Sequence, residues 1–265
     1  MRRIIRPLIL LLSVALICIM GTYLLQEKII FQPTQLQLDH QFRFKTPFEE
    51  FFIETKDGAR LNGLRFSLAE SKGVIVYYHG NAGDLQRWGE ITSFFLQFGY
   101  EVIVMDYRTY GKSTGELSEK NLYNDAQLFY DRALTYFAED KIIVYGRSLG
   151  ASIATKIASE NSPSKLILET PFYSLTDLVK EKFSPLPVSG LLKYRFPSNQ
   201  FIKNTECPVI VIHGTNDAVV PYRSGLKLYE EIPESQGTLI TIEGGGHNDL
   251  INFKEYEQAI RKVLQ

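Results

Sequence analysis

Cysteine, tryptophan and surplus charge are all scarce in this chain. Two cysteines occur, Cys18 and Cys207, and the first lies inside an apolar run, so no intrachain disulfide framework is expected. Lys and Arg total 29 against 30 Asp and Glu, a net charge of −1 that gives no electrostatic reason to bind nucleic acid. The histidines, His40, His79, His213 and His247, are scattered and form no HxH or HExxH spacing, so no metal site or other cofactor is expected. No internal repeat or low-complexity tract is present. What remains, 45% hydrophobic and 22% charged over 265 residues, suffices for one sizeable core.

The amino end departs from that ordinary composition. From Pro7 to Gln26 the chain reads PLILLLSVALICIMGTYLLQ, twenty residues without a charge. As a helix this run spans about 30 Å, the thickness of a bilayer core. Arg2, Arg3 and Arg6 precede it, whereas Glu27 and Lys28 after it cancel. The positive-inside bias then keeps the short amino end cytoplasmic and sends the rest across, to a periplasmic or lumenal side. An uncleaved single-pass anchor over residues 1–26 is therefore expected. A cleaved signal peptide is the alternative, but there is no A-x-A site, and Ile17 before Cys18 does not suit a lipoprotein. A segment merely buried in the fold is the third reading.

Residues 27–47 read as a linker. Leu36, Leu38, Phe42 and Phe44 share one parity, which predicts an extended stretch with one apolar edge lying on the domain or the membrane, with His40 as a solvated residue within it. From Phe48 to the end the chain alternates. FEEFFIET and ARLNGLRFSL, joined by KDG, predict an antiparallel pair. GVIVYYHG, EVIVMD, KIIVYG, SKLILE, PVIVIHG and GTLITIEG follow, short runs of the kind buried on both faces of a sheet. Amphipathic segments separate them, at Leu85 to Phe98, Ser118 to Phe137, Ala151 to Glu160 and Tyr222 to Glu231, and NDLINFKEYEQAIRKVL closes the chain. Strand alternating with helix predicts a mostly parallel eight-stranded sheet with helices on both faces, and a functional site at the carboxyl ends of the strands.

Three reactive residues fall at such ends. Ser148, in YGRSLGAS, lies between two glycines where a strand gives way to a helix. That is the pattern of a nucleophile elbow, whose glycines let strand and helix approach closely and whose next amide, of Leu149, faces the reacting centre. Asp217 follows PVIVIHGTN and His247 follows GTLITIEGGG, so Ser, Asp and His occur in the chain order of an α/β-hydrolase. Each type meets a need: the serine requires a base, imidazole titrates near neutrality, and a carboxylate fixes its tautomer. Glu169, after SKLILE, is a rival for the acid position, disfavoured because it runs straight into TPF. In YYHGNAGD the amide of Asn81 pairs with that of Leu149 as an oxyanion hole, while His79 and His213 read as structural. DYRTYGKST ends like a phosphate-binding loop, but Asp106 stands where a glycine is needed and Gly115 interrupts the following helix, so nucleotide binding is not expected.

HGNAGD, DYRTYGKSTG, YGRSLGAS, ETPFYSL, VIHGTNDAVVP and GGGHNDL together resemble the membrane-anchored α/β-hydrolases of the Bem46 and ABHD13 type, related to the ABHD17 acyl-protein thioesterases and serine aminopeptidase (S33)-like. The resemblance runs from about residue 25 to the end. It implies a serine hydrolase with Ser148, Asp217 and His247 as its triad. Thr109 departs from the family, which commonly has glycine there, in a loop flanking the site. A short cap is expected over about residues 177–204 of the domain 48–265, with Phe183, Leu186, Val188, Leu191, Leu192 and Phe196 packing on the domain or lining an acyl pocket. The expected activity is cleavage of carboxylic esters or thioesters of acyl or lipid-like substrates. A peptidase and an inactive hydrolase fold used for docking are the alternatives.

Overall fold

The computed structural model describes residues 20–184, except residue 22, and 188–265, with the side chains of residues 188 and 189 also outside the description. The expected anchor lies mostly outside these residues. Among the described residues no helix is long and apolar enough to cross a membrane.

Eight strands form one sheet: β1 (Glu49–Glu54), β2 (Arg60–Phe66), β3 (Gly73–Tyr78), β4 (Tyr100–Met105), β5 (Ile142–Arg147), β6 (Lys165–Glu169), β7 (Val209–Gly214) and β8 (Gly237–Ile242). Their spatial order is β8-β7-β6-β5-β3-β4-β2-β1. The β1–β2 and β2–β4 pairings are antiparallel and the others parallel. Alternation along the central strands feeds two cores. Val74, Val76, Ile142, Val144, Val209 and Val211 face one side, and Ile75, Tyr77, Ile143, Tyr145, Ile210 and Ile212 the other.

Helices cover both faces. On the first lie α2 (Glu119–Leu134) and α3 (Leu149–Ala158), which contribute Leu122, Phe129, Ile153 and Ile157. On the second lie α1 (Leu85–Thr92) and α7 (Lys254–Val263), which contribute Leu85, Trp88, Tyr256 and Ile260. Between them in sequence come α4 (Leu175–Lys182), the single turn α5 (Ser198–Phe201) and α6 (Tyr222–Tyr229). Side chains of Asp84, Ser118 and Ser174 cap α1, α2 and α4 by accepting from first-turn amides. The helix predicted from Leu85 to Phe98 is in two parts: Ser93–Phe98 tightens to a 3-10 helix. Its three-residue period puts Phe95 and Phe98 on one side, both buried.

Two expectations are corrected. Leu38 is 65% exposed, because a turn at residues 38–39 breaks the parity that places Phe42 in the core. The linker itself lies on the domain, one of the two places expected for it: Gln32–Pro33 pairs in parallel with Ala82–Gly83, and Leu36 N donates to Gly111 O. The expected inner face of the cap does not form as one surface. Phe183 is 52% exposed, and Phe196 is buried among Phe31, Tyr194 and Tyr123. The cause is the anchoring of this segment from behind, by Glu119 on the amides of Arg195 and Phe196 and by Gln26 bridging Leu191 O and Lys193 N. Leu191 and Leu192 are half-buried, and Leu186 and Val188 lie outside the described side chains.

Phe129 is fully buried against Phe51 and anchors the face that carries α3. Phe129→Ala should lower unfolding free energy by about 3–5 kcal/mol, read as an earlier urea midpoint with an unchanged slope.

Candidate active site

The turn from β5 into α3 is sharp. Ser148 takes φ 53° and ψ −113°, in the region that favours glycine. Close packing holds it there: a Cβ at Gly150 would lie 2.0 Å from Tyr78 O, and one at Gly146 would lie 2.3 Å from Gly150 O. Ser148 occupies the N-cap position of α3, yet its side chain caps no amide. The hydroxyl is instead 3.0 Å from Nε2 of His247.

His247 Nδ1 lies 2.7 Å from Oδ2 of Asp217. A carboxylate only accepts, so Nδ1 carries the proton and Nε2 is left to accept from Ser148. Oδ1 of Asp217 accepts from the amides of Val219 and Val220, at 2.9 and 2.8 Å. Burial by itself pushes this carboxyl up, but the hydrogen bonds from His213 and His247 outweigh it and hold Asp217 well below the usual carboxylate range. The structure thus brings together Ser148, His247 and Asp217 from the ends of three strands. Glu169 is elsewhere engaged: it accepts from the hydroxyls of Tyr145 and Tyr256 and pairs with Arg147.

The amides of Asn81 and Leu149 have no hydrogen-bond acceptor among the described residues. The Asn81 loop is braced from three sides. Tyr107 Oη donates to His79 O at 2.7 Å, Tyr110 Oη to Asn81 O at 2.6 Å, and Gln32 N to the same oxygen at 2.8 Å. DYRTYG is therefore a brace for this loop, and Thr109 holds φ 72° within it, the conformation that makes glycine the easier residue there. Lys112, which suggested a phosphate loop, is buried and paired with Glu50.

A cleft of about 270 Å³ opens at Ser148 and His247. Arg87, Trp88, Arg147, Asn81 and Asn248 are among its lining residues, and no described residue of 177–204 is. His79 stays outside it, buried and stacked on Trp88, as its structural reading requires.

With that geometry in place, the family described as serine aminopeptidase, S33, matches residues 69–207, and one described as TAP-like protein matches residues 192–264. The chain belongs to the α/β-hydrolases. An α/β hydrolase domain-containing protein of Caenorhabditis elegans, aho-3, is 34% identical over 203 residues, 74% of this chain. The match spans 59% of aho-3's own length. An uncharacterized protein of Mycobacterium tuberculosis is 30% identical over 245 residues, 90% of this chain and 87% of its own. Among solved structures, an esterase of Pyrococcus furiosus superposes with a TM-score of 0.68 at 20% identity, covering 89% of this chain and 96% of that one, a likeness of fold.

Two residues that this α/β-hydrolase sets around the site were missed from sequence. Arg147 pairs with Glu169 and donates through Nη2 to His247 O at 3.0 Å and Asn248 Oδ1 at 3.2 Å, tying the histidine loop to the elbow. His213, expected only to pack, has Nε2 at 3.3 Å from Asp217 Oδ2 and 3.0 Å from Val220 O. Both partners only accept, so Nε2 carries the proton. The HxxxD spacing of His213 and Asp217 was the available signal. His213→Ala should lower kcat about tenfold with little change in KM, as expected for loss of one hydrogen bond to a charged group, and His213→Gln should restore much of it. Equal loss in both variants would contradict the contact.

Proposed function

We propose that this α/β-hydrolase is a serine hydrolase of carboxylic esters or thioesters, with Ser148 as nucleophile, His247 as base and Asp217 as the acid that orients it. The continuous hydrogen-bonded path Ser148–His247–Asp217 is the observation that carries this reading. Oγ of Ser148 attacks the acyl carbon as its proton passes to Nε2 of His247. The amides of Asn81 and Leu149 donate to the oxyanion. The bond to the leaving oxygen or sulfur then breaks, and that atom takes the proton from His247. Water next loses a proton to His247 and attacks the acyl carbon. The bond to Oγ breaks, the proton returns to Ser148, and the carboxylic acid departs. No cofactor enters these steps.

The family description names an aminopeptidase, which makes peptide bonds the second reading. An aminopeptidase must hold the substrate's α-ammonium group. The lining of this cleft includes no carboxylate among the described residues, so esters and thioesters suit it better.

The testing experiment is labelling of the detergent-solubilised full chain with a fluorophosphonate probe. Labelling should vanish in Ser148→Ala and slow by at least about a hundredfold in His247→Ala. A folded chain that takes up no probe, or a His247→Ala variant that labels at the unaltered rate, would sink the assignment.

We also propose that the apolar run within residues 1–26 anchors the chain and ends before Gln26, which packs on residues 191–193, with the catalytic domain on the far side of the membrane. The charge-free run preceded by Arg2, Arg3 and Arg6 supports this. After alkaline carbonate washing the chain should remain in the membrane pellet, and protease should reach the domain only from the far side. Release by the wash would refute the anchor.

A further inference from the structure

The cleft at Ser148 contains two guanidinium groups, Arg87 and Arg147, and no carboxylate among its described lining residues. They are not equivalent. Arg147 is 6% exposed and its charge is matched by Glu169, 3.1 Å from Nε. Burial is the largest influence and works against that charge, and Glu169 with other buried neighbours offsets it, so Arg147 remains a cation already satisfied within the protein. Arg87 is exposed, and among the described residues its guanidinium has no ion pair and no hydrogen bond. The Asp84 carboxylate beside it in sequence is engaged by the amides of Gln86 and Arg87.

Its position makes this unusual. Arg87 lies in the first turn of α1, the end of a helix at which a positive charge is disfavoured. The Asp84 carboxylate that caps this end is hydrogen-bonded to backbone amides, not to the guanidinium. The side chain is nonetheless supported: its guanidinium carbon lies 5.1 Å from the Trp88 ring centroid. Its Cδ crosses Gly83 so closely that a Cβ there would lie 3.2 Å away, and Gly83 has φ 97°. Trp88 is itself fixed, since Nε1 donates to Ala82 O at 2.8 Å and the indole stacks on His79 at 5.2 Å. A cation on a rigid platform, unpaired and facing the cleft of the nucleophile, is arranged for a negatively charged partner.

We propose that Arg87 forms an anion subsite beside Ser148, and that the preferred substrates are compact esters or thioesters carrying a carboxylate or phosphate-type group near the scissile carbonyl. This rests on the reading of Ser148 as nucleophile. The cleft of about 270 Å³ suits a short acyl chain rather than a long one. Its polar lining, with Asn81 and Asn248 beside the arginines, offers an apolar chain little surface.

The test compares kcat/KM of the full chain in detergent for three 4-nitrophenyl esters of similar length: neutral hexanoate, the monoester of adipate, and 5-phosphonopentanoate. At least one anionic ester should exceed the neutral one about tenfold or more, with the advantage shrinking as salt is added. Which of the two anions leads identifies the group recognised. In Arg87→Gln the anionic-to-neutral ratio should fall about tenfold, and in Arg87→Lys only in part, since a point charge keeps attraction but loses the planar fork. Arg261→Gln, an exposed arginine outside the cleft, should leave the ratio as it is. A ratio near one, or a ratio that survives Arg87→Gln, overturns the subsite while leaving Ser148 as nucleophile. Absence of both hydrolysis and fluorophosphonate labelling would overturn the two together.

Discussion

The site depends first on the strained turn at Ser148. A serine at positive φ is held there only because β3, β5 and α3 are packed so closely that no side chain fits at Gly146 or Gly150. That packing makes the position of the Ser148 hydroxyl a property of the core. The same residues that fill the sheet, Val76, Tyr78, Val144 and Ile153, fix the distance across the elbow. A change of one methyl group at either glycine would meet a backbone carbonyl, which cannot move without moving α3 or β3.

Around that fixed point the other groups arrive on loops and are held by polar contacts. The Asn81 loop is braced by two tyrosine hydroxyls and by the chain around Gln32. The His247 loop is tied by Arg147, the residue immediately before Ser148, so that imidazole and serine share one anchor. Asp217 receives three hydrogen bonds, from two backbone amides and His247, with Nε2 of His213 3.3 Å away, which is how a carboxylate stays ionised at 6% exposure. Burial and charge are reconciled again one strand away, where Glu169 is shared by Arg147, Tyr145 and Tyr256. Segments from opposite ends of the chain meet in these contacts.

The cleft that results is small and polar, with cationic side chains on one side. Here the aromatic residues after Leu192 turn into the domain and stack with Phe31 and Tyr194, while helical residues 23–30 hold them through Gln26. The amino-terminal segment therefore has two physical roles among the described residues: it supports residues 191–194, and its strand at Gln32–Pro33 borders the cleft.

Periodicity made the eight strands, their burial on two faces and the main helices legible, because alternation and amphipathicity are local properties of the chain. The elbow and the order of Ser148, Asp217 and His247 were also readable, since a serine between glycines at a strand end is a local pattern with a steric cause. Contacts between distant residues were not. Nothing in the order of residues says that His213 reaches Asp217, that Arg147 holds the carbonyl of His247, or that Phe196 turns inward instead of toward Ser148. Those depend on where separate loops stop relative to one another, and small displacements decide whether a side chain meets its partner. The sequence by itself determined the sheet and the chemistry available at the strand ends. Tertiary structure alone decided which charges are paired and which cation is left facing the cleft, because electrostatic matching is a property of distance and burial that no linear pattern contains.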